Sequence, residues 1–147
     1  MANTKTARLV WEGSGLAFTA TGGSGYTIRF DNPSGPKGGS PMEMVAIASG
    51  GCTASDVIDI LRKKKQDVTG FEVNVLGTRT AEHPLVFTEI DLEYVVRGRN
   101  IDPKAVERSI GLSLTKYCSV NQMLRHSVKI NSRYRIIGEA QPEPAAA

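Results

Sequence analysis

The two cysteines are the side chains of this 147-residue chain that are best suited to redox or nucleophilic chemistry. Cys52 lies in the apolar stretch SPMEMVAIASGGCTASDVIDILRKKK, which covers residues 40–65, and Cys118 lies in the segment KYCSVNQML. A thiolate is a nucleophile, and two neighbouring thiols can be oxidised to a disulfide. Because the two residues are far apart in the sequence, their types and positions alone do not establish that they meet.

On an ideal helix, Cys52 shares a face with small and polar residues such as Ser49 and Asp56, whereas bulky aliphatic residues such as Leu61 lie on the other side. The Gly50–Gly51 pair precedes it, and each glycine costs about 1 kcal/mol inside a helix. We therefore expect either close backbone packing or access to the thiol to offset that cost. A small buried hydrophobic side chain is the alternative to a reactive thiol at this position.

Cys118 directly precedes Ser119, which forms a Ser-x-x-Gln capping-box pattern with Gln122 and is expected to cap a short helix ending near His126. Unpaired N–H groups and the positive end of the helix dipole favour a thiolate at a helix start. We therefore expect Cys118 to be the more easily ionised thiol. A buried cysteine in a turn is the alternative interpretation.

The overall composition limits the class of protein. The mild net charge of +3 and the absence of a basic, aromatic-interleaved stripe exclude a nucleic-acid partner. No apolar run of about 18 residues and no signal peptide occur, which predicts a cytoplasmic protein with no membrane span. The two cysteines and two histidines, His83 and His126, lack the spacing of zinc ligands, so neither a metal nor a bound cofactor is expected.

The elements that must position the thiols follow from hydrophobic periodicity. Three short β-rich runs, at residues 8–11, 16–21 and 26–30, are separated by glycine-rich turns and predict an antiparallel meander. A loop over residues 32–39 follows. A long helix over residues 41–65 is then predicted, because Ser40, Pro41 and Glu43 form a capping box with a first-turn proline and because the run ends in four basic residues.

Two runs of period two follow the helix and predict a hairpin with one buried face. Their expected inward residues are Phe71, Val73 and Val75 in the first run, and Val86, Ile90, Leu92, Tyr94 and Val96 in the second. Asp102 and Pro103 then predict the start of a second helix, with Val106, Ile110 and Leu114 at helical spacing. After the short third helix, a last strand is expected over residues 128–137, followed by a flexible tail over residues 138–147.

This order of elements predicts one α+β domain over residues 1–147, in which the long apolar helix packs on curled antiparallel sheets. A helix that is apolar on nearly every side is normally buried on nearly every side. One sheet covers only part of such a helix, so a second subunit is the expected source of the remaining cover. The sequence therefore predicts a homodimer.

Taken together, SPMEMVAIASGGCTASDVIDIL and KYCSVNQML resemble the OsmC/Ohr superfamily of cysteine proteins, and the similarity is greatest to its YhfA-type branch, over residues 6–137. The resemblance implies an OsmC-like fold and an intertwined homodimer with two thiol sites at the interface. It further implies that Cys52 attacks an organic hydroperoxide and that Cys118 converts the resulting sulfenic acid into a disulfide. An external dithiol reductant would then restore both thiols, with no bound cofactor.

The chain departs from the peroxidase members of that superfamily at two supporting positions. Those members carry a glutamate ten residues before the first cysteine, where this chain has Met42, and Glu43 is one position later, on the opposite side of an ideal helix from Cys52. Glu43 is also explained by the capping box. Those members use an early arginine to hold the thiolate, and Arg29 is a better-placed candidate for this role than Arg8.

Three hypotheses for function follow. The first is a thiol peroxidase that reduces organic hydroperoxides through a Cys52–Cys118 disulfide cycle, with Arg29 and Glu43 as possible supporting residues. The second is a non-catalytic or redox-sensing protein that binds a small apolar ligand in a pocket at the dimer interface. The third is a thiol enzyme that acts on another electrophile. Retention of both cysteines favours the first hypothesis, and the departures at the supporting positions favour the other two.

Overall fold

The computed structural model describes residues 3–32 and 38–139, and the chain divides into two compact units, Met1–Val45 and Ala46–Ala147. The α+β fold class predicted from the order of elements is confirmed. Most of the predicted loop over residues 32–39, and residues 140–147 of the predicted tail, lie outside the described residues. Gly138, which was predicted to belong to that tail, is the last residue of a strand.

The amino-terminal unit contains the predicted antiparallel meander. Its strands are β1 (Ala7–Trp11), β2 (Phe18–Gly22) and β3 (Thr27–Phe30), and they lie in the sheet in that order. The turns between them use glycine for a physical reason, since Gly13 and Gly25 have φ values of 93° and 88°, a conformation that residues with a side chain rarely adopt. Sequence periodicity therefore identified all three strands to within two residues.

Helix α1 (Pro41–Lys63) begins with the predicted capping box. The Ser40 N–H donates to Glu43 Oε2 over 2.8 Å, and the Glu43 N–H donates to Ser40 Oγ over 3.3 Å. The helix ends two residues earlier than predicted, and Lys65 has a left-handed backbone with φ 57°. Its buried residues form a single face, consisting of Ser49, Gly50, Thr53, Val57 and Leu61.

The length and apolar composition of α1 would also suit a helix that crosses a membrane. Its buried face, however, carries the polar side chains of Ser49 and Thr53, and both hydroxyls form hydrogen bonds to side chains from other elements. This is the arrangement expected of a core helix, in which buried polar groups are paired within the fold.

The second sheet contains β4 (Asp67–Arg79), β5 (Phe87–Arg99) and β6 (Lys129–Gly138), in that order. Strands β4 and β5 form the predicted antiparallel hairpin, but β5 and β6 pair in parallel. The prediction of a purely antiparallel sheet is therefore wrong for this pair. The physical reason is that the helical segment between β5 and β6 forms a crossover connection, which allows the chain to re-enter the sheet in the same direction.

Strand β5 is the central strand of this sheet and supplies much of its core. Predicted burial is confirmed at Ile90, Leu92, Tyr94 and Val96, each at most 1% exposed. Val95, which alternation places on the opposite face of the strand, is also fully buried. The prediction is wrong for Val86, which lies before the strand and is 49% exposed.

Helix α2 (Pro103–Leu112) begins as predicted, since Asp102 Oδ1 accepts a hydrogen bond from the Lys104 N–H over 3.0 Å. A π-helical turn (Ser113–Tyr117) and helix α3 (Ser119–Leu124) follow. The predicted capping box at Ser119 is wrong. Cys118, with φ −77° and ψ 96°, occupies the cap position, and the Gln122 side-chain amide donates instead to the Leu114 carbonyl oxygen over 2.7 Å.

Candidate functional site

The two cysteines, distant in the sequence, are brought together where α1 meets the start of α3. Cys52 is half-buried and Cys118 is fully buried, and both are free thiols. Cys52 Sγ lies 4.0 Å from the hydroxyl oxygen of Ser119, the residue after Cys118, and the Cys52 thiol is close enough to Cys118 to raise its pKa. The arrangement can therefore support chemistry that passes between the two sulfurs.

The environment of Cys118 opposes its ionisation. Burial is the main cause that raises its pKa to about 11, hydrogen bonding to Cys52 raises it further, and hydrogen bonding from Asn121 lowers it. The prediction that Cys118 is easily ionised is therefore contradicted. A cysteine at a helix start gains from the helix dipole only where its thiolate stays solvated, and here desolvation outweighs the dipole of a six-residue helix.

We predict that Cys118 remains protonated well above the pH at which an ordinary cysteine ionises. In a Cys52→Ser variant, the influence of the second thiol is lost while burial remains, so alkylation of Cys118 by iodoacetamide should show an apparent pKa clearly above the ordinary ~8.5. Because the pKa of Cys118 is higher in the folded than in the unfolded state, this thiol favours the folded protein fully below its unfolded-state pKa. That contribution to the free energy of unfolding is lost as the pH rises toward 11. The same variant unfolded in urea supplies the reference. An apparent pKa at or below the reference value would contradict the prediction.

A buried asparagine connects α1 to Cys118. Asn121 is 2% exposed, and its Oδ1 accepts a hydrogen bond from the Ser49 hydroxyl over 2.6 Å. Its Nδ2 donates to the Ser49 carbonyl oxygen and to Cys118 Sγ, each over 3.1 Å. In the capping box predicted from the sequence, Asn121 is only an interior position. The signal that could have identified it is its spacing, since three residues after Cys118 is about one helical turn.

A chain of buried hydroxyl groups lies on the neighbouring turn of α1. The Tyr94 and Thr53 side-chain oxygens are 2.7 Å apart, as are those of Thr53 and Ser113, and the Ser113 hydroxyl donates to Asp56 Oδ2 over 2.9 Å. Burial raises the pKa of Tyr94 to about 12, so its phenol stays neutral at physiological pH. The chain fixes β5 and the π-helical turn to α1. Sequence patterns did not identify it.

The two glycines before Cys52 have different roles. A Cβ atom at Gly50 would lie 2.7 Å from Val75 Cγ2, so this glycine allows α1 to pack closely on β4. A Cβ atom at Gly51 would have no neighbour within 4 Å, and Gly51 is exposed beside the thiol. The expectation of close packing is therefore met at Gly50, and open space next to the thiol is found at Gly51.

The two predicted supporting residues have partners in the amino-terminal unit. The Arg29 guanidinium forms an ion pair with Glu12, with Nε donating to Oε2 over 3.2 Å, and this hydrogen bond is the main cause that raises the pKa of Arg29. Glu43 accepts the capping-box hydrogen bond from the Ser40 N–H. These contacts give both residues a structural role in that unit.

The histidines lie in exposed turns. His83 precedes Pro84 between β4 and β5, and His126 follows α3. Within residues 3–32 and 38–139, no group of three or more histidine, cysteine, aspartate or glutamate side chains could hold a metal ion. The described part of the chain therefore offers the paired thiols as its candidate reactive site.

The chain is similar to known proteins in sequence and in fold. A family model described as OsmC-like protein matches residues 34–133. Protein YhfA of Escherichia coli K12 is 45% identical over 131 residues, which cover 89% of this chain and 97% of the relative. A hypothetical protein from Aquifex aeolicus VF5, 31% identical, has a similar solved structure with a TM-score of 0.84, covering 95% of this chain and all of that one.

A more distant solved structure shares the fold. The organic hydroperoxide resistance protein OhrB of Bacillus subtilis is 14% identical, with a TM-score of 0.62, and the match covers 90% of this chain and 98% of that one. At this identity the likeness concerns the fold alone.

Proposed function

This chain belongs to the family of OsmC-like proteins, and from that membership and its paired thiols we propose that it is a thiol peroxidase that reduces organic hydroperoxides. The observation that carries the proposal is the meeting of Cys52 and Cys118 where α1 adjoins the start of α3. The fold shared with a protein described as conferring organic hydroperoxide resistance supports a redox role.

The difference in burial of the two thiols suggests their roles. Cys52 is half-buried and accessible, so its thiolate would attack the terminal peroxide oxygen, break the O–O bond and become a sulfenic acid as the alcohol leaves with a proton. Cys118 is fully buried and would act second. Its sulfur would attack Cys52 Sγ and release water, which leaves a disulfide for an external dithiol to reduce. This step requires the Cα atoms to lie about 4.4–6.8 Å apart, or to move there.

The same proposal includes a cytoplasmic homodimer. Within a single chain, α1 is buried on one face only, and Ile47 on its remaining surface is 63% exposed. A second copy of this chain would cover that apolar surface and enclose a pocket beside Cys52 suited to a small apolar hydroperoxide. The cytoplasm would supply the reducing environment and the external dithiol that restores the thiols, so the proposal includes no bound cofactor. It also includes no nucleic-acid or membrane partner.

The proposal is tested by adding a stoichiometric amount of cumene hydroperoxide to the reduced wild-type protein. We expect stopped-flow measurements to show rapid loss of two thiols per chain, and mass spectrometry to show one intramolecular disulfide. Hydrogen peroxide should react more slowly, because an apolar pocket favours the organic substrate. If no peroxide-dependent disulfide forms while iodoacetamide still alkylates Cys52 in the native protein, the peroxidase proposal is wrong.

A non-catalytic or redox-sensing protein that binds a small apolar ligand is the second candidate. It is favoured by the raised pKa of Cys118 and by the structural partners of Arg29 and Glu43, the two residues expected to support a peroxidase. The same experiment identifies a non-catalytic binding protein, which would leave the hydroperoxide unreduced. A redox-sensing protein would form the disulfide once but would not turn over with excess hydroperoxide and a dithiol.

A further inference from the structure

The orientation of the Asn121 side chain is determined by its contacts with Ser49. The Ser49 carbonyl oxygen can only accept a hydrogen bond, so the amide atom 3.1 Å from it must be the nitrogen. The Ser49 hydroxyl then donates to the amide oxygen over 2.6 Å. Because Nδ2 faces the carbonyl group, its second N–H is available to Cys118 Sγ, also 3.1 Å away. The contact with sulfur is therefore a donated hydrogen bond.

Such a donor affects the two protonation states of Cys118 differently. A neutral thiol is a weak acceptor, whereas a thiolate is a strong one, and hydrogen bonds to charged groups are about twice as strong as neutral ones. Cys118 is fully buried, so its thiolate has lost the water that would otherwise stabilise the charge. The N–H of Asn121 replaces part of that solvation inside the protein.

Both halves of a disulfide cycle require this charge to be stabilised. When the disulfide forms, Cys118 attacks as a thiolate. When an external thiol attacks Cys52 Sγ and the S–S bond breaks, the electron pair leaves on Cys118 Sγ. We propose that Asn121, oriented by Ser49, is a positioning residue that stabilises the Cys118 thiolate as nucleophile and as leaving group. The inference rests on the proposed function for its biological role. The stabilisation of the Cys118 thiolate by Asn121 is a property of the thiol pair, whatever oxidant reacts with it.

Diamide, a thiol oxidant, can test the proposed role of Asn121 without a peroxide. The Cys52 thiolate adds across its N=N bond, and Cys118 then attacks Cys52 Sγ, so that the S–N bond breaks and the hydrazine leaves as a disulfide forms. Acid-quenched mass spectrometry follows the second step as a function of pH. The variants are Asn121→Asp and Asn121→Ala, which both remove the side-chain amide donor and keep the backbone N–H of residue 121, and Asn121→Ala adds no charge. Gln122→Ala is the matched control, since it removes an amide of the same helix that donates to the Leu114 carbonyl oxygen and not to Cys118 in the described part of the chain.

We expect both Asn121 variants to slow the second step about 10- to 100-fold at pH 8, and Gln122→Ala to change it less than about 3-fold. Loss of the donor should move the pH at which the rate levels off to a higher value in Asn121→Ala than in the wild type, whereas a merely structural defect would lower the rate without moving that pH. Circular dichroism identifies any variant that fails to fold. Wild-type rates and pH profiles in a folded Asn121 variant would overturn the inference. A wild-type protein that forms the disulfide with diamide but not with hydroperoxide would overturn the proposed function and leave this inference intact.

Discussion

Replacement of Cys52 by serine is expected to abolish the reduction of organic hydroperoxides. A serine hydroxyl is not ionised at neutral pH and cannot form a sulfenic acid, so no part of the proposed cycle can begin. Loss of a nucleophile commonly lowers turnover by several orders of magnitude, and we expect kcat/KM to fall by at least about 10³-fold. Stopped-flow consumption of cumene hydroperoxide in the presence of a dithiol measures the effect.

The matched control is Cys118→Ser, which retains the half-buried thiol. Without added dithiol, this variant should reduce about one equivalent of hydroperoxide and leave Cys52 as a sulfenic acid in place of a disulfide, because no second protein thiol captures it. Mass spectrometry should find further oxidation at Cys52 under excess peroxide. The opposite pair of phenotypes would exchange the roles assigned to the two cysteines. Equal, undiminished turnover in both variants would contradict thiol chemistry at this site.

Substitution of Ile47 by glutamate is expected to abolish dimerisation. Ile47 lies on the apolar helix α1 and is 63% exposed in a single chain, so its cover in the proposed dimer must come from the second copy. A carboxylate placed there would have to be desolvated without a partner, which costs several kcal/mol. We therefore expect the dissociation constant to rise by at least about 100-fold. Sedimentation velocity across micromolar concentrations measures the change.

Ser127→Glu is the control for added charge, because Ser127 is an exposed polar residue in the turn after α3. It should leave the dimer intact. Circular dichroism distinguishes a folded monomer from an unfolded chain, and either result for Ile47→Glu is consistent with subunits that share a core. A wild-type protein that sediments as a folded monomer at micromolar concentration would contradict the proposed dimer.

Sequence patterns predicted local structure correctly where the side chains of the pattern act only on the neighbouring backbone. The pairs Ser40 with Glu43 and Asp102 with Pro103 start helices as predicted, because a capping side chain and a proline act on the nearest backbone groups. The similar pattern at Ser119 failed. There the chain enters α3 through Cys118 after a π-helical turn, and that turn depends on contacts with other elements.

The direction in which the last strand pairs with its neighbour could not be predicted from the sequence either. Alternation predicted that residues 128–137 form a strand, and the structure has β6 at Lys129–Gly138. Alternation describes which face a residue occupies, but it contains no information on strand direction. The parallel pairing with β5 is decided by the path of the crossover through α2 and α3.

The long apolar helix and the period-two strands could be predicted from the sequence, since each depends on residues close together in the chain, and the two cysteine-containing motifs were enough to indicate the OsmC-like family. Only the folded chain brings Cys52 and Cys118 together, buries Cys118 so that its pKa rises, and lets Asn121 donate to its sulfur. A pKa depends on solvent, charges and donors within a few ångströms. For Cys118 these include groups on α1, distant in the sequence, so its ionisation could not be predicted from its own segment.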